Sequence, residues 1–304
     1  MAGKQRIYKQ KIRATSTLEK VFRAMELIAA SRIGKARTAA QGQDPYTQAL
    51  IKSIKMVASH AAATHPLVTP RTDTNKVIVL AIASDRGMAG AYSSSILRHT
   101  DKLLAELREE GKDPELYVSG RRAAQYYHFR GVPVAGEWIG NSDKPSDAIS
   151  QEIADTLLAR FLAPADAGGV AELHVVYTRF ISMVTQHVHI RQVLPIEVVD
   201  APNPGPDGIP GTEDDALPLY EFEPSAQAVF DALLPMYVSQ RIRGMLLMAA
   251  ASELAARQQA MHSATENAGE LINKYTRLAN NARQAEITTE ITEIVSGADA
   301  LGKK

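Results

Sequence analysis

Cysteine is absent from all 304 residues, which excludes disulfides, thiolate metal sites and cysteine nucleophiles. A net charge is absent too: 34 lysines and arginines balance 34 aspartates and glutamates, so global charge draws in no particular partner. No run of about 18 apolar residues is available to span a bilayer, and no apolar core of signal-peptide type opens the chain. The expectation is a soluble, cytoplasmic protein that reaches a membrane only through a partner. Proline is missing from residue 236 to the end, leaving nothing in the last quarter to break a long helix.

What is present is unevenly spread. Residues 1–40 carry ten lysines and arginines against only Glu19 and Glu26. Such an imbalance on a helix marks an acidic partner surface, a membrane face, nucleic acid or simply a solvated face. Apolar content is 45%, ample for a packed core in one or two domains.

Three regions differ in hydrophobic period. Over residues 7–40, Leu18, Val21, Phe22, Met25, Ile28, Ala29, Ile33 and Ala36 recur in helical steps and form one stripe. Asp44 and Pro45 then mark a break and a helix restart. In the middle, residues 76–83 are a continuous apolar run, as expected of a strand buried on both faces. Helical patterns at 92–108, 121–129 and 145–161 alternate with strands at 115–119 and 132–138. A hairpin at 172–180 and 185–194 follows, and residues 219–222 read as one more short strand. Alternation of this kind predicts a parallel sheet with antiparallel strands added at one edge. The loop at 201–216 is dense in proline, glycine and acid and suits no regular element.

After Pro224 a second helix begins, which Pro235 kinks or restarts. Its helical series runs through Ile242, Leu246, Ala249, Ala256, Ala260, Ala264, Asn267, Leu271, Tyr275, Leu278, Ala282 and Ala285. Alanine at so many positions lets two helices approach closely. Some 60 residues make a rod of about 90 Å, too long for a domain of this size to enclose. A helix at each end of a globular insert can pair as a shaft. The organisation expected is therefore a helix in 1–65, an α/β domain in 74–222 and a second helix in 223–304.

Sites of chemistry are hard to find. Gly34 and Lys35 lack the upstream glycine and following hydroxyl residue of a P-loop. The turn from Ser84 to Ala91 joins a buried strand to a helix, where phosphates are often held, but it lacks the three-glycine fingerprint. His187 and His189 alternate on a strand without supporting carboxylates, and the acids of 207–215 lack EF-hand spacing. No nucleophile–base pair stands out. Cofactor and metal sites are not expected.

Both ends carry a family pattern. Ile287, Thr288, Glu290, Glu293, Gly297 and Ala298 form a C-terminal motif that resembles the gamma subunit family of F-type ATP synthases. Residues 261–268 and 282–288 resemble the same family's final helix, 12–21 and 24–32 its first helix, and 84–90 its strand-to-helix turn. The resemblance covers the whole chain in order. Two features depart from it: Met88 and Ala89 stand where members often carry a Leu-Cys pair, and the 201–216 loop is longer than usual. The chain also lacks the cysteine-bearing regulatory insertion of chloroplast relatives.

The resemblance implies an α/β fold: a long antiparallel coiled coil of the terminal helices plus a central Rossmann-like domain. It implies a central-stalk rotor subunit that couples proton-driven rotation to ATP synthesis, regulates ATP hydrolysis and proton flow, and performs no catalysis itself. The partners implied are an alpha/beta hexamer, the epsilon subunit and the membrane c-subunit ring, at the cytoplasmic face of the cell membrane, with no nucleic acid. By motif position, Arg283, Gln284, Thr288 and Glu290 would meet loops of the catalytic ring. Met25 with Arg23 would face the acidic lever of a beta chain, and Asp85 and Arg86 would make further subunit contacts. From the residues alone, a Rossmann-type nucleotide enzyme or a nucleic-acid-binding coiled-coil scaffold remain the other two readings.

Overall fold

The computed structural model describes residues 2–42, 44–60, 65–196 and 222–302. The expected loop 201–216 and most of the expected strand 219–222 lie outside these residues. By compactness the chain divides into two units: Met1–Ser31 with Arg257–Lys304, and Arg32–Ala256.

The larger unit is built on one five-stranded sheet. Its strands are β1 (Lys76–Ile82), β2 (Asp113–Ser119), β3 (Gly136–Trp138), β4 (Glu172–Phe180) and β5 (Gln186–Leu194), in the order β3-β2-β1-β4-β5. All neighbours run parallel except β5, which returns antiparallel to β4. The helices are α1 (Ala2–Gly42), α2 (Asp44–His60), α3 (Tyr92–Glu109), α4 (Arg121–Phe129), α5 (Asp147–Leu162) and α6 (Ala226–Gly302).

The period-2 geometry of β1 divides the core. Ile78, Leu80 and Ile82 face α5, α2 and the first part of α6, where Phe161, Phe230 and Leu234 are buried. Val77, Val79 and Ala81 face α3 and α4, where Ile96, Leu103 and Tyr127 are buried. A strand covered on both faces must be apolar where it is covered, and β1 is from Val77 to Ile82. Because α3 and α4 lie on one face and α5 on the other, the strand order reverses between β1 and β4.

Two expected features differ. The third strand was expected over 132–138, but only Gly136–Trp138 pairs. The Val132 N–H is taken by the carbonyl of Tyr127 as α4 ends, and Pro133 has no N–H to offer a ladder. Pro235 interrupts nothing: α6 runs through it. Phe230 and Leu234 before it, and Val238 and Ile242 after it, are all buried in the same core. That packing outweighs the roughly 3 kcal/mol penalty of an internal proline.

Candidate subunit-contact surface

The smaller unit pairs residues 2–31 of α1 with residues 257–302 of α6. Tyr8 stacks on Tyr275 with centroids 6.4 Å apart, Lys11 lies over the same ring, and Glu26 meets His262 Nδ1 at 2.9 Å. As α1 numbers rise the α6 numbers fall, so the pair is antiparallel.

Burial along α1 follows a coiled-coil repeat. Tyr8, Ile12, Thr15, Glu19, Phe22, Glu26 and Ala29 are shielded, in steps of four and three. On α6 the same repeat runs through Met261, Thr265, Ala268, Ile272, Tyr275 and Ala279. The seam is narrow and partly polar. Glu19 and Glu26 sit in it beside Arg23, His262, Glu266 and Glu270, around an open groove of about 770 Å³.

The stripe expected on α1 is split by this arrangement. Phe22 and Ala29 join the seam, whereas Leu18, Val21 and Ile28 are 51%, 42% and 53% exposed. With half-buried Met25, those three make a second apolar stripe in steps of three and four, turned away from α6. Leu271, expected on the α6 seam, is also exposed. A 3.5-residue repeat selects other positions than the 3.6-residue helix wheel over such a length.

The end of α6 is barer still. With Tyr8 opposite Tyr275, the first residue of α1 reaches about residue 281 of α6. Beyond that point α6 has no α1 residue in register. Ile287, Ile291, Ile294 and Val295 are 43%, 56%, 71% and 55% exposed and lie on one helical face. Arg283, Gln284, Thr288 and Glu290 are exposed on the same segment. The hydroxyls of Thr288, Thr289 and Thr292 donate to carbonyls one turn back, so the outward chemistry of the segment is its apolar row and the charged and amide groups around it. Apolar rows uncovered on two helices mark a protein-binding surface. Arg23 is exposed too, but two residues from Met25 it points to another side of α1, onto the groove.

Asp85 and Arg86 belong to the larger unit, at the carboxyl end of β1. Arg86 is exposed, and its carbonyl accepts from Ser84 Oγ at 2.8 Å. Asp85 is engaged internally. Its carboxylate accepts from the backbone N–H of Arg121 at 2.9 Å and of Ser142 at 2.8 Å, while its own N–H donates to Ser142 Oγ. Burial pushes this carboxyl up, but the backbone hydrogen bonds from Gly140, Ser142 and Arg121 outweigh burial and hold it below its ordinary 3.8. Asp85 therefore ties the loops after β1, β2 and β3 together.

A depressed carboxyl stabilises the fold above its unfolded value of 3.8, and that contribution is lost as pH falls through the lower folded value. Asp85→Asn is accordingly expected to lower stability at pH 7 by about 1–3 kcal/mol and to flatten its decline below pH 4. Urea unfolding across a pH series reads both effects. An unchanged acid slope would contradict this role.

The crevice where a doubly wound sheet receives a nucleotide, between the carboxyl ends of β1 and β4, is filled by α6. The Tyr92 hydroxyl donates to the carbonyl of Ala249 at 3.1 Å, and Ser252 Oγ donates to the carbonyl of Thr178 at 3.1 Å. Nearby, Ile82, Ser119, Trp138 and Leu246 enclose a cavity of only about 10 Å³, against the several hundred a cofactor needs. Among the described residues, the carboxyl ends of β1, β2 and β3 leave no room for a nucleotide.

Residues 4–301 match the family described as ATP synthase. The chain is 58% identical over 301 residues to the ATP synthase gamma chain of Beutenbergia cavernae, covering 99% of each protein. It is 53% identical over 301 residues to that of Kineococcus radiotolerans, covering 99% of this chain and 98% of the relative. Among solved structures, it resembles a chain of the Euglena gracilis mitochondrial ATP synthase OSCP/F1/c-ring structure at a TM-score of 0.65 and 16% identity, over 100% of this chain and 97% of that one. A chain of the Tetrahymena thermophila central stalk/c-ring structure matches at 0.55 and 17%, over 80% of this chain and 99% of that one. Fold, terminal helices and these likenesses agree: the chain belongs to the ATP synthase gamma chain family.

Proposed function

We propose that this chain is the rotor shaft of an F-type ATP synthase. It couples proton-driven rotation of a membrane c-subunit ring to ATP synthesis in an alpha/beta hexamer, and it regulates ATP hydrolysis. The observation that carries the reading is the pair of uncovered apolar rows, Leu18–Val21–Met25–Ile28 on α1 and Ile287–Ile291–Ile294–Val295 on α6. A helical pair this thin gains stability only when another protein surrounds it. Catalysis lies on the beta chains; the chain itself carries none. Because its faces differ chemically, each rotational position stabilises a different conformation of the surrounding subunits, and that differential contact is the coupling.

In this reading the helix in 1–65 and the helix in 223–304 form the shaft, and the domain in 74–222 is the foot, beside the epsilon subunit and the c-ring. Arg283, Gln284, Thr288 and Glu290 meet the loops of the catalytic ring, Met25 and Arg23 meet a beta-chain lever, and Asp85 and Arg86 lie at the foot, where Arg86 supplies the outward contact. No helix among the described residues is long and apolar enough to cross a membrane. The chain sits peripherally at the cytoplasmic face, held by the complex.

Met25→Lys tests the coupling contact. A cation in the α1 apolar row should reduce ATP-driven proton pumping several-fold while ATP hydrolysis and assembly persist, because about 1–2 kcal/mol of misplaced contact is enough to alter one rotational state. Pumping measured by acridine-dye quenching in membrane vesicles, beside phosphate release, separates the two. Pumping that stays in proportion to hydrolysis would remove Met25 from the coupling surface.

A further inference from the structure

The β4–β5 ribbon carries a basic stripe, two arginines and two histidines, that the shaft reading does not use. In its register Arg179 stands opposite His187, Tyr177 opposite His189 and Val175 opposite Arg191, so Arg179, His187, His189 and Arg191 share one sheet face. The three β5 groups fall at alternate residues and span about 13 Å. Arg179, His187 and Arg191 are exposed; His189 is half-buried above the Tyr177 ring, 6.2 Å between centroids. None of the four makes an ion pair or side-chain hydrogen bond among the described residues. The chain as a whole has no net charge, so the stripe is not the overflow of a basic protein. Burial, together with the charges of Arg179, His187 and Arg191, holds His189 below the ordinary imidazole range, as expected where positive potential has no counter-charge. Among the described residues β5 is also the edge of the sheet.

We propose that this stripe is a docking surface for an acidic, extended segment of a partner polypeptide laid along β5. The segment places carboxylates at alternate positions against His187, His189 and Arg191, with Arg179 closing the end. Its intervening residues fall beside half-buried Val188 and exposed Ile190 on the other face, which favours apolar side chains there. A bilayer is the poorer match, because a flat surface cannot reach the recessed His189. Single-stranded nucleic acid is poorer too: the one phenol ring in the stripe, Tyr177, is 8% exposed and gives bases no broad stacking platform.

The test uses the purified full chain, independently of any ATP synthase assembly, so it can fail while the shaft reading stands. Fluorescence anisotropy would compare a labelled eight-residue peptide of alternating glutamate and valine with one of the same composition in two blocks. Expected is at least tenfold tighter binding of the alternating peptide, weakening as salt rises, with the His187 and His189 ring protons shifting on titration by NMR. The pairs Arg179→Glu with Arg191→Glu and Arg179→Gln with Arg191→Gln should each lose tenfold or more at unchanged melting temperature. Equal binding of the two peptides, full binding by both pairs, or tighter binding of oligothymidylate or phosphatidylglycerol vesicles would overturn the proposal.

Discussion

Gly120→Ala is expected to cost the larger unit about 3–5 kcal/mol, a large share of the stability of any single domain. Gly120 ends β2 and precedes α4 with φ at +106°, a conformation that side-chain-bearing residues avoid. A Cβ there would stand 2.3 Å from the carbonyl oxygen of Ala83, and that atom is backbone just past β1, held by the Ala83 N–H donating to the Ser119 carbonyl. The Gly120 N–H also donates to the Trp138 carbonyl at 2.8 Å, so the displaced residue would take β3 with it. Gly131→Ala is the control. Its φ is +67° but nothing lies within 4 Å, so only the conformational cost of about 1 kcal/mol remains. Denaturant unfolding of both variants distinguishes strain from clash, and equal losses would show that the approach to Ala83 is not what matters.

The opposite behaviour is expected of Ile291→Glu combined with Ile294→Glu. Both residues are more than half exposed on a helix end with no α1 neighbour in register, so the isolated chain should melt within about 0.5 kcal/mol of the parent. Under the shaft reading both become buried on assembly. Each would then forfeit about 1.5–3 kcal/mol of apolar burial, before the cost of desolvating a carboxylate. Affinity for the alpha/beta ring should fall at least a hundredfold. Titrating the chain into preformed rings and following their ATP hydrolysis reads the loss. Undiminished binding would mean that this face of α6 stays in solvent, and the shaft reading would lose its main support.

The two variants also separate what was legible in the sequence from what was not. β1 could be read directly, because burial on both faces demands an unbroken apolar run and Val77 to Ile82 supplies one. The hairpin of β4 and β5 and the break at Gly42 and Asp44 were equally plain, since each rests on local chemistry. The seam of the helical pair was not. Two apolar series on α1, one through Phe22 and Ala29 and one through Leu18, Val21 and Ile28, have the same spacing, and only a partner decides which is covered. The register of Thr15, Glu19 and Glu26 with the seam was the available clue, but polar seam positions run against the usual pattern. Asp85 was expected as a subunit contact by family position alone, and the structure engages it internally instead. Its three-way hydrogen bonding depends on Ser142 and Arg121, which are distant in sequence and adjacent only because β1, β2 and β3 are neighbours.

At the β1–β4 crevice, Ala249 and Ser252 of α6 stand where a ligand would. In a nucleotide-binding relative of this architecture the crevice alternates between empty and filled, and its stability rises with ligand concentration. Here the occupant is part of the same polypeptide, present at an effective concentration no free solute can match. The site is saturated as soon as the chain folds. With α6 in the ligand's place, changes in nucleotide supply are expected to leave the domain's shape alone. Under the shaft reading, a part that carries torque past sites flooded with ATP and ADP gains from indifference to both.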